Sequence, residues 1–518
     1  MAFAGAAGGS GSGSNEGTPP KPCSEYFGEF IASRYPAAFG AHLPFAVCGY
    51  TPAQLRSAYD TDAANGHGVT VAIVDAYGSP TIEDDADQYA GRHGDEPFGV
   101  GQYSEQVNPQ AWTLQDLCGG TDSWAAEQTL DVEAVHALAP DARILYYGAN
   151  SCQDSDLLAA LTDIIGHHRA DVVTASWGAP IHSAGGDISA DVIARYDRLF
   201  QIAALEGISI DFSSGDCGEN APTSTCGGPQ GSGSSEPQTT YPASDPWVTA
   251  VGGTSLEIGR DGDLEGQTAW GTRAWRLAGN AKAGASAANV GNARSGAKSA
   301  GEGAGDPPGP QWQPLGWIFG GGGGTSADFA QPWYQVGRVP AALSGTLLTG
   351  APAATPRRTV PDLALDADPF TGMLVGQTVQ STNGSGKSGG ADGTIRRTKE
   401  ANAYKEAAVG GTSLASPLLA GLEADAIEAN GGADLGFVNP SLYVDSHAAL
   451  LLDVTGIMQG RKAVGASPIG QIYPPIPGKP AVLAALGDDG PLLATPGYDT
   501  ATGLGAPGDD FPQRLGAR

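Results

Sequence analysis

Two kinds of segment recur along the chain, and their order predicts a layered fold. Short apolar runs rich in β-branched residues end at polar or glycine residues, as in "GVTVAIVDAYG" (68–78), "ARILYYGA" (142–149), "ADVVTASWGAP" (170–180) and "ISIDFSSGDCG" (208–218). Such continuous apolar runs are typical of parallel strands that are buried on both faces. We therefore predict a strand in each of these segments.

Helical patterns separate these strands. Residues 84–94, 123–140 and about 188–205 have apolar spacing or composition that favours a helix. A regular alternation of strand and helix predicts a mostly parallel sheet with helices on both faces. The fold class expected is therefore α/β.

Composition divides the chain further. Residues 1–20 predict a flexible tail, residues 21–55 an N-terminal extension, and residues 56–518 one large domain. Two segments rich in glycine, alanine and serine, at about 278–310 and 379–400, lack apolar periodicity and predict loops inserted in that domain.

Charge narrows the classes of partner. The 518 residues include 56 acidic and 27 basic ones, for a formal net charge of −29. Because phosphate contacts need lysine and arginine, this balance argues against nucleic acid and anionic membranes as partners. No segment approaches the about 20 apolar residues of a membrane span. The first 20 residues lack the basic region and apolar core of a signal peptide. The acidity fits a protein that works in acid, where part of the self-repulsion is titrated away.

Six cysteines form three local pairs, Cys23 with Cys48, Cys118 with Cys152, and Cys217 with Cys226. An even number at short separations favours disulfides and an oxidising, extracellular compartment. The alternative is that these are buried free thiols.

The stretch "VGGTSLASP" (409–417) places Ser413 where a helix begins. The serine is either a nucleophile or, with Thr412, a helix cap. A nucleophilic serine usually needs a histidine as its base. The chain has eight histidines, and only His136 lies on a suitable helix.

The helix at 123–140 offers a different base. Glu127 and Asp131 are four residues apart and share one helix face, whereas His136 points to the other side. Two carboxyl groups held together among apolar residues share a proton, and such a pair can act as a base in acidic solution. The alternative is two hydrated acids on an exposed face.

Asp216 follows the strand predicted at 208–218. Ligands bind at the C-terminal edge of parallel sheets, and a protonated carboxyl group there can donate a hydrogen bond to a developing oxyanion. The alternative is an aspartate that only stabilises a turn.

Three motifs, "AAEQTLD", "SSGDCG" and "GGTSLASP", occur in an order that resembles the sedolisin, or serine-carboxyl peptidase, family. The likeness covers about residues 44–518 apart from the two loops. It implies a subtilisin-like three-layer fold and a secreted, acid-active, serine-type endopeptidase. Ser413 resembles the nucleophile, Glu127 the general base and Asp131 its orienting partner. Asp216 resembles the oxyanion-hole acid, which the N–H group of Ser413 assists.

The resemblance also implies residues around this core. Asp75 resembles an acid that extends the network of the catalytic glutamate, together with a tryptophan that matches Trp177. The alternatives are a turn or capping acid and a core aromatic residue. Ser176, Trp177 and Gly178 resemble the strand that pairs with the substrate backbone.

The C-terminal part resembles a site for one calcium ion. The ligands implied are the carboxylates of Asp453 and Asp499 and the carbonyl groups of Val454, Thr495 and Gly497. Carboxylate and carbonyl oxygens are the ligands that Ca²⁺ prefers.

The resemblance finally implies partners and rival functions. Partners are protein or peptide substrates and a prodomain that is cleaved from the mature enzyme, which this chain resembles; we expect a monomer. The first rival is an ordinary Ser-His-Asp subtilase. The second is a non-catalytic, secreted calcium-binding module on the same fold.

Overall fold

The computed structural model describes part of the chain, namely residues 23–61, 64–222, 226, 233–278, 311–379, 403–444, 450–455, 457–459, 462–465, 469–474, 480–488, 490 and 492–517. The predicted tail at 1–20 lies outside the described residues. So do the predicted loops at 278–310 and 379–400, apart from Ala278 and Val379.

The helices alternate with strands through the first half of the chain. The helices are Pro52–Tyr59 (α1), Ile82–His93 (α2), Thr121–Leu138 (α3), Asp154–Gly166 (α4), Ala190–Glu206 (α5), Ala341–Ser344 (α6), Thr412–Ala429 (α7), Asn439–Leu442 (α8) and Phe511–Gly516 (α9), with a 3₁₀ turn at Trp333–Gln335. The strands are Thr70–Ala76 (β1), Tyr103–Val107 (β2), Arg143–Ala149 (β3), Val172–Ala175 (β4), Ala179–Pro180 (β5), Ser209–Ser213 (β6), Thr240–Tyr241 (β7), Thr249–Ile258 (β8), Leu264–Ala269 (β9), Gly271–Leu277 (β10), Trp312–Gly320 (β11), Gly324–Ala330 (β12), Arg357–Val360 (β13), Leu363–Asp366 (β14), Met373–Val379 (β15), Ala403–Val409 (β16), Leu451–Leu452 (β17), Ile457–Gln459 (β18), Lys462–Gly465 (β19), Ile469–Tyr473 (β20), Val482–Leu486 (β21) and Ala506–Pro507 (β22).

The central sheet has the strand order β19-β18-β9-β8-β6-β4-β1-β3-β2, and β14 also pairs with β8. Strands β2, β3, β1, β4, β6, β8 and β14 run parallel, whereas β9, β18 and β19 add an antiparallel edge. The prediction of a subtilisin-like α/β fold with a mostly parallel central sheet is confirmed.

Side chains of β1 show how the two faces are covered. Val71 and Ile73 join the hydrophobic core formed with α3 and α7, whereas Ala72 and Val74 join the core formed with α4 and α5. Alternate side chains of a strand point to opposite faces, so both faces of β1 are buried under helices. The same alternation determines which side chains at the end of β1 face α3 and α7.

The segment before α1 is fixed to the rest of the fold. Cys23 and Cys48 form a disulfide. The N–H group of Phe27 donates to the carbonyl of Ile258, and the hydroxyl of Tyr50 donates to the carbonyl of Leu256. Helix α1 spans the predicted boundary at residue 55, and the division of the chain stays a prediction.

The structure joins all three predicted cysteine pairs as disulfides. Cys118–Cys152 links the segment before α3 to the segment before α4, and Cys217–Cys226 begins at the residue after Asp216. Of the described helices, none has both the length and the apolar character needed to cross a membrane.

Candidate active site

Helix α3 carries the two predicted acids into the interior. Glu127 and Asp131 are both buried, at 3% and 0% relative exposure, because α3 packs against both β1 and α7. The alternative of two hydrated acids on an exposed face therefore does not hold for this helix. His136 is also buried, but its Nε2 atom lies 3.2 Å from the carbonyl oxygen of Glu96.

Asp75 brings a third carboxyl group to the same place. It follows Val71 and Ile73 in the alternation along β1, so its side chain points to the face that α3 covers. Burial and the charge of Glu127 raise the pKa of Asp75 well above its usual range. Burial and the charges of Asp75 and Glu127 likewise raise the pKa of Asp131. The three acids therefore form one carboxyl cluster in which protonation of one favours ionisation of another.

Ser176 connects this cluster to the candidate nucleophile. The Oγ atom of Ser176 lies 2.9 Å from Oδ1 of Asp131 and 3.2 Å from the carbonyl oxygen of Ser413. A hydroxyl group has one proton, so it cannot donate to both oxygens fully. Both hydrogen bonds form when Asp131 is protonated. Its O–H group then donates a hydrogen bond to Oγ of Ser176, and the hydroxyl of Ser176 donates to the carbonyl oxygen of Ser413.

Pro417 explains why the carbonyl of Ser413 accepts this hydrogen bond. In a regular helix, the carbonyl of residue 413 would accept from the N–H group of residue 417. Pro417 lies inside α7 and has no N–H group, so the carbonyl of Ser413 loses its usual partner. The hydroxyl of Ser176 takes that place, which anchors the first turn of α7 to the end of β4.

Ser413 itself is buried at 3% relative exposure in the first turn of α7. The residue before the helix, Gly411, has φ of 103°, a conformation that residues with a side chain rarely adopt. A Cβ atom on Gly411 would lie 3.1 Å from Oδ2 of Asp216 and 3.5 Å from the backbone nitrogen of Ser413. The bare glycine therefore leaves space beside both groups.

Asp216 lies against the start of the same helix. Its Oδ1 atom accepts hydrogen bonds from the backbone N–H and the hydroxyl of Thr412, at 2.8 and 3.0 Å. Burial raises the pKa of Asp216, although the two bonds from Thr412 act in the opposite direction. A carboxyl group that holds its proton in this position can donate a hydrogen bond beside Ser413.

The side chain of Trp177 packs into the interior, whereas Gly178 lies close to the backbone and side chains of β7. The indole Nε1 of Trp177 donates to the backbone carbonyl of Val74 at 2.8 Å, rather than to the carboxyl group of Asp75. Its ring packs edge-on against Phe212 with centroids 5.0 Å apart. A Cβ atom on Gly178 would lie 2.5 Å from Cγ2 of Thr240, so a larger residue would push apart β5 and β7.

The residues of the predicted calcium site lie in two segments, 453–454 and 495–499, which are in contact. The N–H group of Gly497 donates to Oδ2 of Asp453 at 2.8 Å, and the N–H group of Thr495 donates to Oδ2 of Asp499 at 2.8 Å. Oδ1 of Asp453 is buried and has no hydrogen-bond partner among the described residues. Val454 is fully buried next to it. In the part of the chain that is described, no cluster of three or more histidine, cysteine or acidic side chains suits a metal ion.

Two features of the site are not evident from the sequence patterns. The sequence predicts Thr412 or Ser413 as the helix cap, whereas Gly411 occupies the cap position and the hydroxyl of Thr412 contacts Asp216. The resemblance implies a role for Ser176 in substrate pairing, but it does not indicate that the side chain of Ser176 points inward to Asp131. The inward direction of Ser176 follows from the alternation of side chains along the strand. Thr174 faces α7, because its hydroxyl lies 2.8 Å from that of Ser416, and Ser176, two residues later, faces the same side.

Comparisons with known proteins cover most of the chain. A family model described as the subtilase family matches residues 51–441. Kumamolisin of Bacillus sp. (strain MN-32) is 27% identical over 462 residues, which are 88% of this chain and 62% of that protein. Sedolisin of Pseudomonas sp. (strain 101) is 26% identical over 418 residues, which are 78% of this chain and 55% of that protein. The chain thus spans 55–62% of the length of these two relatives.

Among solved structures, the chain resembles Pseudomonas sedolisin, described as a serine-carboxyl proteinase complexed with two molecules of pseudo-iodotyrostatin. The TM-score is 0.55 at 21% sequence identity, and the match covers 89% of this chain and 95% of the other. This likeness concerns the fold.

Proposed function

Because the chain belongs to the subtilase family and, within it, to the sedolisin family, we propose that it is an acid-active serine-carboxyl peptidase. It hydrolyses peptide bonds of proteins as a serine-type endopeptidase through an acyl-enzyme on Ser413. One observation carries this proposal: the partly buried carboxyl group of Asp216 lies against the first turn of the helix that begins with Thr412 and Ser413. That arrangement suits an oxyanion site that works only while Asp216 is protonated.

In the proposed reaction, the Oγ atom of Ser413 attacks the scissile carbonyl carbon, and Glu127 accepts the proton of the hydroxyl. The carbonyl π electrons move to the oxygen, which becomes the oxyanion. When the C–N bond breaks, Glu127 returns the proton to the leaving amine. Water then attacks the acyl-enzyme by the same proton transfers and releases the acid product.

Asp131 and Asp75 support Glu127 as the general base. In acidic solution the cluster holds protons on Asp131 and Asp75, whose pKa values are raised by burial and by each other's charge or that of Glu127. A neutral Asp131 hydrogen-bonds to Ser176 and orients the cluster without adding charge. Glu127 is then the member of the cluster that accepts the proton of Ser413.

The oxyanion is stabilised by two donors, protonated Asp216 and the backbone N–H group of Ser413. Both lie beside Gly411, where no side chain intrudes. Removal of one such donor lowers kcat by about 100- to 1000-fold in other serine peptidases.

Residues 176–178 serve the substrate through their backbone. The side chain of Ser176 points to the interior and that of Trp177 to the other hydrophobic core, which leaves their backbone groups for pairing with an extended peptide. Gly178 keeps the neighbouring β7 close.

We further propose that one Ca²⁺ binds at Asp453, Asp499 and the carbonyl groups of Val454, Thr495 and Gly497. The unpartnered, buried Oδ1 of Asp453 supports this, since a hard cation would compensate its charge. When bound, the ion ties the loop at 495–499 to the segment at 453–454 and stabilises the fold; it takes no part in the chemistry.

The proposal includes an extracellular location, protein or peptide substrates, a prodomain cleaved from the mature enzyme, and a monomeric state. Three disulfides support an oxidising compartment. The net charge of −29 disfavours nucleic acid and anionic membranes as partners.

The direct test is cleavage of a denatured protein and of a peptide library between pH 2 and 8, with calcium present. Wild type is compared with Ser413→Ala and Glu127→Gln, and with Asp122→Asn as a control, because Asp122 is an exposed acid on the same helix. We expect cleavage in acid by wild type and the control, and loss of cleavage in the other two. Full activity of Glu127→Gln would support a Ser-His-Asp subtilase, and no cleavage by wild type would support a non-catalytic calcium module.

A further inference from the structure

The hydroxyl group of Thr412 has a fixed direction. The N–H group of Gly215 donates to Oγ1 of Thr412 at 2.9 Å, so this oxygen acts as an acceptor there. Its own proton is then free for the only other partner described, Oδ1 of Asp216, at 3.0 Å. The chain of donors therefore runs from Gly215 through Thr412 to Asp216.

Oδ1 of Asp216 consequently receives two hydrogen bonds from one residue. The backbone N–H of Thr412 donates at 2.8 Å, and the hydroxyl of Thr412 donates to the same atom. An oxygen that accepts two donors behaves as the carbonyl-type oxygen of a neutral carboxyl group. The proton of the neutral form is therefore held on the other atom, Oδ2.

Oδ2 is also the oxygen on the side of the nucleophile. It lies 3.1 Å from the position that a Cβ atom on Gly411 would take, and the backbone nitrogen of Ser413 lies 3.5 Å from that same position. The backbone of Asp216 is held as well, because its carbonyl accepts from the N–H group of Gly320 at 3.1 Å. Rotation of the carboxyl group is thus limited chiefly by Thr412.

We propose that Thr412 is a positioning residue of the oxyanion site, which directs the proton of Asp216 to Oδ2 and so towards the developing oxyanion. The inference rests on the proposed function of Asp216. Thr412 does not contact the substrate in this account; it acts through Asp216.

Kinetics distinguish this role from a merely structural one. Among the described residues, burial and the two bonds from Thr412 set the pKa of Asp216. The hydroxyl of Thr412 stabilises the ionised form, so its removal raises the pKa of Asp216 further. Loss of the hydroxyl therefore lowers kcat and, at the same time, moves the alkaline limb of the pH–rate profile to higher pH.

The experiment measures kcat, KM and the pH profile of kcat for Thr412→Val, which keeps the shape of the side chain, and for Thr412→Ser, which keeps the hydroxyl. We expect Thr412→Val to lower kcat about tenfold, less than removal of a whole oxyanion donor, with KM changed less than about twofold. Thr412→Ser should restore most of the lost kcat and the wild-type alkaline limb. Thr412→Ala provides a second variant without the hydroxyl should the valine not be accommodated.

Thr325→Val is a matched control. Thr325 is a buried threonine whose hydroxyl donates to the carbonyl of Leu343 at 2.9 Å, and it contributes nothing to the candidate site.

Wild-type kcat and an unshifted alkaline limb in folded Thr412→Val and Thr412→Ala would overturn the inference, as would failure of Thr412→Ser to restore them. If Ser413→Ala is inactive while the Thr412 variants match wild type, only this inference fails. If Ser413→Ala remains active, the proposed function fails with it.

Discussion

The hydroxyl oxygen of Ser176 lies 2.9 Å from Oδ1 of Asp131, at a point where both side chains are buried. The contact joins the end of β4 to the middle of α3. Since the same hydroxyl also reaches the carbonyl of Ser413, the acid cluster and the nucleophile helix share one small polar contact. The orientation of Asp131 should therefore depend on Ser176.

Substitution of Ser176 by alanine tests that dependence. Ser176→Ala removes the hydroxyl that joins Oδ1 of Asp131 to the carbonyl of Ser413 and leaves both buried groups without this partner, which should cost about 1–3 kcal/mol of stability. We expect kcat to fall by about tenfold, with a small change in KM, because general-base catalysis depends on the orientation of the cluster. Steady-state kinetics and urea unfolding measure the two effects.

The control for Ser176→Ala is Ser209→Ala. Ser209 is a buried serine of β6 whose hydroxyl has no hydrogen-bond partner among the described residues. Its removal should leave kcat unchanged. Equal kinetic effects of the two substitutions would show that Ser176 has no particular connection to the cluster.

The stability of the protein should be highest in acid. Burial raises the pKa of Asp245 to about 8, and an unfolded aspartate titrates near about 3.9. The folded state therefore keeps a proton that the unfolded state loses, and the stabilisation is lost as pH rises from about 4 to about 8. Each pH unit in this window should cost up to about 1.4 kcal/mol for this group. Thermal unfolding across pH 3–9 measures the trend, to which Glu257 and Asp425, with pKa values of about 7 and about 9, also contribute.

Asp245→Asn isolates one part of this trend. An asparagine stays neutral and can still accept the N–H group of Trp247, which Asp245 binds at 3.0 Å. We expect Tm close to wild type at pH 4 and above wild type at pH 8. The exposed Asp191→Asn should show the wild-type slope. A steeper fall of Tm in Asp245→Asn than in wild type would contradict the assignment.

Calcium should stabilise the fold without changing the chemistry. A ligand that binds only the folded state adds about 2.7 kcal/mol at a concentration 100 times its Kd. We expect EDTA to lower Tm, added calcium to restore it, and Asp453→Asn to remove this response. Asp191→Asn should retain it. A Tm that is indifferent to EDTA and calcium in wild type would remove the calcium site from the account.

Local patterns were sufficient for the frame of the molecule. The apolar runs at 68–78, 142–149, 170–180 and 208–218 contain strands β1, β3, β4 and β6, and the alternation with helices correctly predicts the mostly parallel sheet. Strands β4 and β6 end at Ala175 and Ser213, before their runs end, and the residues that follow include Ser176 and Asp216 of the site. The three cysteine pairs were also predictable, because each is close in sequence.

Contacts between distant segments were not predictable in the same way. Helical spacing placed Glu127 and Asp131 on one face, but their burial depends on the packing of α3 against α7. The hydroxyl bonds of Ser176 and Thr412 join residues 45 and 196 positions apart, so no local pattern reports them. The roles of Ser413, Glu127, Asp131 and Asp216 came from family resemblance, and they stay predictions until variants are measured.

The most direct test of the account is the pH dependence of kcat/KM for wild type and Asp216→Asn on one peptide substrate. Wild type should be most active in acid and lose activity as Asp216, whose pKa burial raises, gives up its proton. The amide of asparagine donates at every pH, so Asp216→Asn should be slower in acid but should lose this alkaline limb. A wild-type optimum above neutral pH, or the same alkaline limb in both proteins, would contradict the account.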